Sequence, residues 1–240
     1  MNAHRRIVLK ELGLTPLWRL RPEAAAHQAP TKMAVTEQAQ TDTPVHVDRQ
    51  KPEIGQMDWE QLASTVANCT ACPLRQSCTQ TVFGVGDRNA DWIYIGEGPG
   101  AREDAVGEPF VGQAGKLLDN MLAAIQLKRG HNVYITNIVK CRPPNNRNPG
   151  EDEARQCAPY LARQIELIKP KLIVALGKVA AQNLLGSQDS IASLRGKIHS
   201  FSGIPLIVTY HPAYLLRALP EKAKAWQDLC TALELMRALS

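Results

Sequence analysis

From Met57 onward, short apolar runs alternate with longer amphipathic stretches, and this alternation leaves few folds open. Trp92-Ile93-Tyr94-Ile95, Val133–Thr136, Lys171–Leu176 and Leu206–Thr209 are the apolar runs, and each reads as a buried strand. Around them Asp58–Ala67, Ala114–Leu127, Glu151–Ile168, Ala180–Leu185 and Glu221–Leu239 read as helices. Asp58 is a natural N-cap for the first, and Leu117, Leu118, Met121, Leu122 and Ile125 give the second an apolar face. Buried strands separated by helices predict a three-layer α/β/α domain around a central four-stranded parallel sheet. In such sheets the ligand crevice lies beyond the carboxyl ends of the strands, so the segments just after each strand are the ones to inspect.

The amino-terminal part of the chain is different. Residues 1–21 hold a small apolar cluster, Leu9, Leu12, Leu14, Leu17, Trp18 and Leu20, interrupted by Gly13 and Pro16. Residues 22–56 are rich in Ala, Gln, Thr, Pro and charge and read as a disordered linker to a domain over 57–240. The leader is either a loose extension or a short docking peptide for a protein partner, and its sequence favours neither. The formal net charge is +5. Residues 1–57 hold 8 basic and 6 acidic side chains, and the rest hold 20 and 17. So thin an excess permits nucleic-acid binding without arguing for it. The sequence contains neither a long apolar run nor an apolar signal region, so a cytoplasmic, reducing setting is expected and a membrane partner is not.

Beyond the first strand comes Gly96-Glu97-Gly98-Pro99-Gly100, then Glu103-Asp104 and Pro109-Phe110-Val111-Gly112. The glycines predict a tight turn with exposed N–H groups, and the acidic side chains argue against a phosphate cradle. Phe110 is either a buried loop anchor or a flat platform for a base. Asn137 follows the second strand; it is either a turn cap or an amide that reads a pyrimidine's carbonyl and adjacent N–H. Lys140, Arg142 and Arg147 make the next loop basic, as a phosphate backbone requires. Beyond the fourth strand comes His211-Pro212-Ala213-Tyr214-Leu215-Leu216-Arg217. A histidine at the mouth of a parallel sheet is a candidate for chemistry. Leu215 and Leu216 either fill a core gap or push into stacked bases.

Six cysteines are present. Cys69-x2-Cys72 is a tight pair, whereas Cys141 and Cys157 are remote singles, an arrangement that fits a metal centre stapling the entry helix to the domain. Four thiolates also suit zinc, although a split second half favours it less, and all six could be buried small hydrophobes. Cys78 and Cys230 are expected to be bystanders.

Together these motifs resemble the family 4, iron–sulfur branch of the uracil-DNA glycosylase superfamily over roughly residues 59–239. The resemblance rests on Cys69-x2-Cys72, Gly96–Gly100, Pro109–Gly112, Thr136–Pro143 and His211–Leu216. Gly98 departs from it, since many members carry Ala there, and residues 1–56 lie outside it. The resemblance implies hydrolysis of the glycosidic bond of deoxyuridine in DNA and a [4Fe-4S] cluster on Cys69, Cys72, Cys141 and Cys157. It implies that Phe110 stacks on the flipped uracil beside the Gly98 turn, that Asn137 reads its polar edge, and that Glu103 crowds C5 against thymine's methyl. His211 is implied as donor to O2, and Glu97 as the residue that positions or activates water. Leu215, Leu216 and Arg217, with Lys140 and Arg142, are the implied DNA contacts, in a monomer. A relative that traps the base covalently on a loop histidine fits less well, because Arg142–Pro149 contains no His. A non-catalytic DNA-binding factor and a ferredoxin-like electron carrier are two rival functions for such a chain; the carrier leaves Phe110, Asn137 and His211 unexplained.

Overall fold

The computed structural model describes residues 53–239. The leader over 1–21 and the linker up to residue 52 lie outside these; the linker's last residues form a 3-10 turn, Ile54–Gln56. Among the described residues the chain runs α1 (Trp59–Ala67), α2 (Leu74–Ser77), β1 (Val85–Gly86), β2 (Trp92–Gly96), α3 (Ala101–Val106), α4 (Gln113–Ala124) and β3 (Val133–Asn137). It continues through α5 (Glu151–Ile168), β4 (Leu172–Leu176), α6 (Lys178–Leu185), α7 (Ile191–Leu194), β5 (Ile198–Phe201), β6 (Ile204–Thr209), α8 (Pro212–Leu215) and α9 (Lys222–Leu239). None of the described helices is long and apolar enough to cross a membrane.

The sheet has six strands in the order β1-β3-β2-β4-β6-β5 and is mixed, which corrects the expected four-stranded parallel sheet. The four expected strands are its inner ones and pair in parallel, while β1 and β5 add antiparallel edges. Neither edge carries an apolar run: β1 is two residues long, and β5 exposes alternate side chains of Ile198-His199-Ser200-Phe201. Helices α3, α7 and α8, each of six residues or fewer, were likewise too short to leave a periodicity.

Alternation along the inner strands builds two cores. Ile93, Ile95, Ile173 and Ala175 face one side with Leu62, Val66, Leu161 and Ile165. Trp92, Tyr94, Leu172, Val174 and Leu176 face the other with Leu118, Leu122, Leu229 and Ala232. The period of two in a strand therefore divides the helices, α1 and α5 to one face, α4 and α9 to the other. Asp58 caps α1 as expected: its carboxylate accepts from the Gln61 N–H at 2.8 Å, and the Gln61 side chain accepts from the Asp58 N–H at 3.0 Å.

One buried ion pair fastens α9 beside the last inner strand. Arg195 donates from Nε and Nη2 to the Asp228 carboxylate at 2.7 and 2.8 Å, and its guanidinium lies 4.6 Å from the Tyr210 ring centre. The Asp228 side chain is 2% exposed. Removing one member of such a pair strands the other charge in a site that excludes water. Asp228→Ala should therefore lower unfolding free energy by about 3–5 kcal/mol in urea denaturation; a change below 1 kcal/mol, roughly the value of an exposed pair, would contradict this.

Candidate active site

The carboxyl ends of β2, β3 and β6 open into a cavity of about 530 Å³. Its walls include Glu97, Gly98, Glu103, Phe110, Asn137, His211 and Arg217, all of them singled out in the sequence. They come from four separate segments, and the backbone explains how they meet.

Gly96 ends β2, and a Cβ built there would lie 2.5 Å from Asn137 Oδ1 and 2.6 Å from Phe110 Cζ. Only glycine leaves both groups their space. Gly98 is also snug, since its Cβ would sit 2.8 Å from Cγ2 of Val139. Gly100 and Gly112 begin α3 and α4, and the Glu103 carboxylate bridges these two turns. Its Oε1 accepts from the N–H of Val111 at 2.9 Å and of Gly112 at 3.0 Å. The neighbouring Asp104 turns the other way and accepts from the N–H groups of Thr79 and Gln80, at 2.8 and 3.3 Å.

Asn137 is 1% exposed, and its Oδ1 has no hydrogen-bond partner among the described residues. A buried acceptor left unpaired costs about 1–3 kcal/mol, so this atom marks a place where a ligand donor fits. Its main-chain carbonyl is held by Lys140 Nζ at 2.9 Å.

The His211 ring lies 5.5 Å from the Phe110 ring, centre to centre. Gly177, at φ +93°, gives it room, because a Cβ there would come within 2.8 Å of His211 Cβ. His211 Nδ1 accepts the Ala213 N–H at 3.2 Å, which puts the proton of the neutral ring on Nε2. Burial, reinforced by the Arg217 charge and opposed by Glu103, pulls His211 down from 6.5 to about 4. Burial also pushes the Glu97 carboxyl upward.

Two expected DNA contacts are corrected. Lys140 is 2% exposed and donates to Thr136 Oγ1 at 2.6 Å, Gln164 Oε1 at 2.7 Å and the Asn137 carbonyl. Its charge is spent on those oxygens inside the domain, where no phosphate reaches, and burial lowers its pKa to about 8. Leu215 is 1% exposed and fills the core under α8, whereas Leu216 and Tyr214 remain 43% and 42% exposed. Arg142 is outside the pocket walls and donates from Nε to Asn146 Oδ1 at 2.7 Å. Tyr214, Asn146 and Asn148 join the walls without having been singled out, since nothing in their local pattern distinguishes lining residues from loop residues.

Cys69, Cys72, Cys141 and Cys157 line one further cavity, with Val66, Leu74, Val139 and Tyr160 as apolar neighbours. None of the six cysteines is joined in a disulfide. Burial is the foremost influence on Cys72, Cys141 and Cys157 and raises all three, which favours the protonated thiol in each. Among the described residues no three His, Cys, Asp or Glu side chains converge on one point as a single ion requires. Cys78, expected as a bystander, is absent from that cavity wall but exerts a direct influence on Cys141.

The geometry predicts that His211 stays neutral, with its proton on Nε2, between about pH 5 and 8. Because the unfolded ring takes up a proton near 6.5 and the folded one only near 4, this group removes stability as pH falls through that window. Nitrogen NMR of the ring should give a midpoint near 4, and a midpoint at the ordinary histidine value would contradict the assignment.

Residues 83–230 match the family described as the uracil DNA glycosylase superfamily. The chain is 44% identical over 165 residues to a type-4 uracil-DNA glycosylase of Archaeoglobus fulgidus, covering 65% of this chain and 82% of that protein. It is 46% identical over 160 residues to one from Thermotoga maritima, covering 66% and 83%, and 40% identical over 181 residues to one from Pyrobaculum aerophilum, covering 72% and 92%. A type-5 uracil-DNA glycosylase of Pyrobaculum aerophilum is 28% identical over 192 residues. Motifs, pocket and relatives agree: this chain belongs to the uracil DNA glycosylase superfamily, in its type-4 branch.

Proposed function

We propose that this chain hydrolyses the bond between uracil and deoxyribose in DNA, releasing the base and leaving an abasic site. The observation that carries this reading is the unpaired, buried Oδ1 of Asn137 beside the Phe110 ring. Uracil presents an N–H between two carbonyls. That N–H donates to Oδ1, while the Asn137 amide N–H donates to the adjacent carbonyl O4. Phe110 offers its face for stacking, and the Glu103 carboxylate, fixed by two N–H groups, stands where C5 would carry thymine's methyl.

Uracil leaves the stack at a cost of a few kcal/mol. Leu216 and Tyr214, exposed on the α8 turn, press into the vacated space, and Arg217 at the pocket mouth meets the phosphate backbone. As the bond between N1 and C1′ breaks, its electron pair goes to the base and O2 becomes anionic. The neutral His211 donates from Nε2 to that oxygen; a cationic ring is not required. Glu97, whose raised pKa makes it a stronger base than an exposed carboxylate, takes a proton from the water that attacks C1′.

Cys69, Cys72, Cys141 and Cys157 hold a [4Fe-4S] cluster in this reading. The type-4 relatives and the four thiols around one cavity support it. When bound, the cluster supplies a cross-link between the turn after α1, the loop after β3 and helix α5.

Incubation with a deoxyuridine oligonucleotide should release free uracil and leave alkali-labile sites; intact strands with cluster-replete protein would refute the activity. His211→Ala should slow excision by about 10²–10³ in single-turnover assays with little loss of DNA affinity, and an unchanged rate would remove His211 from the mechanism. Cys141→Ala should abolish the brown chromophore and lower the unfolding temperature. Colourless wild-type protein with one zinc per chain would overturn the cluster.

A further inference from the structure

Phe110 holds a backbone conformation that side chains of its size rarely adopt. Its φ is +56°, in the left-handed region, where a bulky non-glycine residue stays only if its surroundings force it. Two features do so. Gly115, in the first turn of α4, lies so close to the Phe110 carbonyl that any Cβ there would collide with that oxygen. From the other side comes Arg129, in the turn between α4 and β3. Its Nη1 donates to the Pro109 carbonyl at 2.9 Å, its Nη2 to the Phe110 carbonyl at 2.9 Å, and its Nε to Asp119 Oδ1 at 2.9 Å.

We infer that Arg129 is a positioning residue for base recognition: its planar fork holds the two carbonyls on either side of the Phe110 N–H and so aims the ring at the flipped base. The inference rests on the reading of Phe110 as the uracil platform and adds how that platform is held. A guanidinium suits the task because two N–H groups leave it in fixed, nearly parallel directions, which an ammonium cannot copy. Asp119 completes the arrangement by fixing the guanidinium along α4. With its side chain only 21% exposed and three of its five N–H groups engaged by these oxygens, Arg129 is committed mainly inward. Glu103 does not duplicate this hold, since it grips only the next two N–H groups, those of Val111 and Gly112.

The test compares wild type, Arg129→Ala, Arg129→Lys, Gly115→Ala and Phe110→Ala, together with the Phe110→Ala/Arg129→Ala pair. Arg129→Ala should lower kcat/KM on a deoxyuridine oligonucleotide by about tenfold to a hundredfold, the scale of a misplaced binding group. Inhibition by free uracil should weaken in parallel, while affinity for uracil-free duplex and its salt dependence stay unchanged. Arg129→Lys should recover only part of the loss, and Gly115→Ala should reproduce it by displacing the same carbonyl. In the Phe110→Ala background, adding Arg129→Ala should cost little more, because the two act as one unit. Thermal unfolding establishes that each variant is folded at the assay temperature. Unchanged uracil inhibition in folded Arg129→Ala, or losses that multiply independently in the pair, would overturn the inference. A shallower salt dependence in Arg129→Ala would also overturn it, by making Arg129 a phosphate contact. Wild-type protein that releases no uracil would instead overturn the proposed activity, a result the wild-type arm reads on its own.

Discussion

A side chain that is missing organises the pocket. Gly96 closes β2 at the point where Phe110 from one crossover and Asn137 from the neighbouring strand need the same volume. A methyl group there would meet both, and neither has slack: Phe110 is held by its carbonyl, and Asn137 by the strand register that pairs it with Gly96 itself. The placement of Phe110 against Asn137 thus depends on a backbone contact between adjacent parallel strands. Gly177 repeats the device on the far side, where it yields space to His211.

Close packing of this kind suits the proposed chemistry, which consists of holding partial charges in place. The electrostatic benefit of a hydrogen-bond donor at a developing anion depends on its being aimed beforehand, in surroundings poor in water. Burial that keeps His211 neutral is part of that arrangement, and the Ala213 N–H leaves only one ring nitrogen to donate. The buried Lys140 extends the order backwards. It ties the Asn137 carbonyl to Thr136 and Gln164, and its own neighbour Cys141 lines the thiol cavity, so Asn137 and one of those thiols share a few residues of one loop.

Much of this was legible in the sequence because it obeys a period. The inner strands announced themselves as apolar runs, α5 matched its expected bounds, and the turns beyond the strands carried the pocket residues. What escaped had no period to show. Two-residue β1 and half-exposed β5 leave no run to detect, so the sheet came out wider than expected. Lys140 reads as a surface cation because composition gives the sign of a charge and not its direction; only its three oxygen partners disclose that it faces inward. Leu215 and Leu216 are identical in type and adjacent, yet one is buried and the other bare, a distinction set by a helix of four residues. Arg129 is remote in sequence from Phe110, and no motif joins them.

The loop from Arg142 to Gly150 has a mechanical consequence of its own. Arg147 grips Glu153 with both terminal nitrogens, at 2.8 and 2.6 Å, while Glu153 also accepts from the Gly150 N–H at 2.7 Å. The loop is thereby anchored to the first turn of α5, and Asn146, Arg147 and Asn148 arrive at the cavity wall as an extension of that helix. Its conformational entropy is surrendered when the chain folds and not when a ligand docks. In the proposed activity, a strand approaching this side meets a contour that folding has already set.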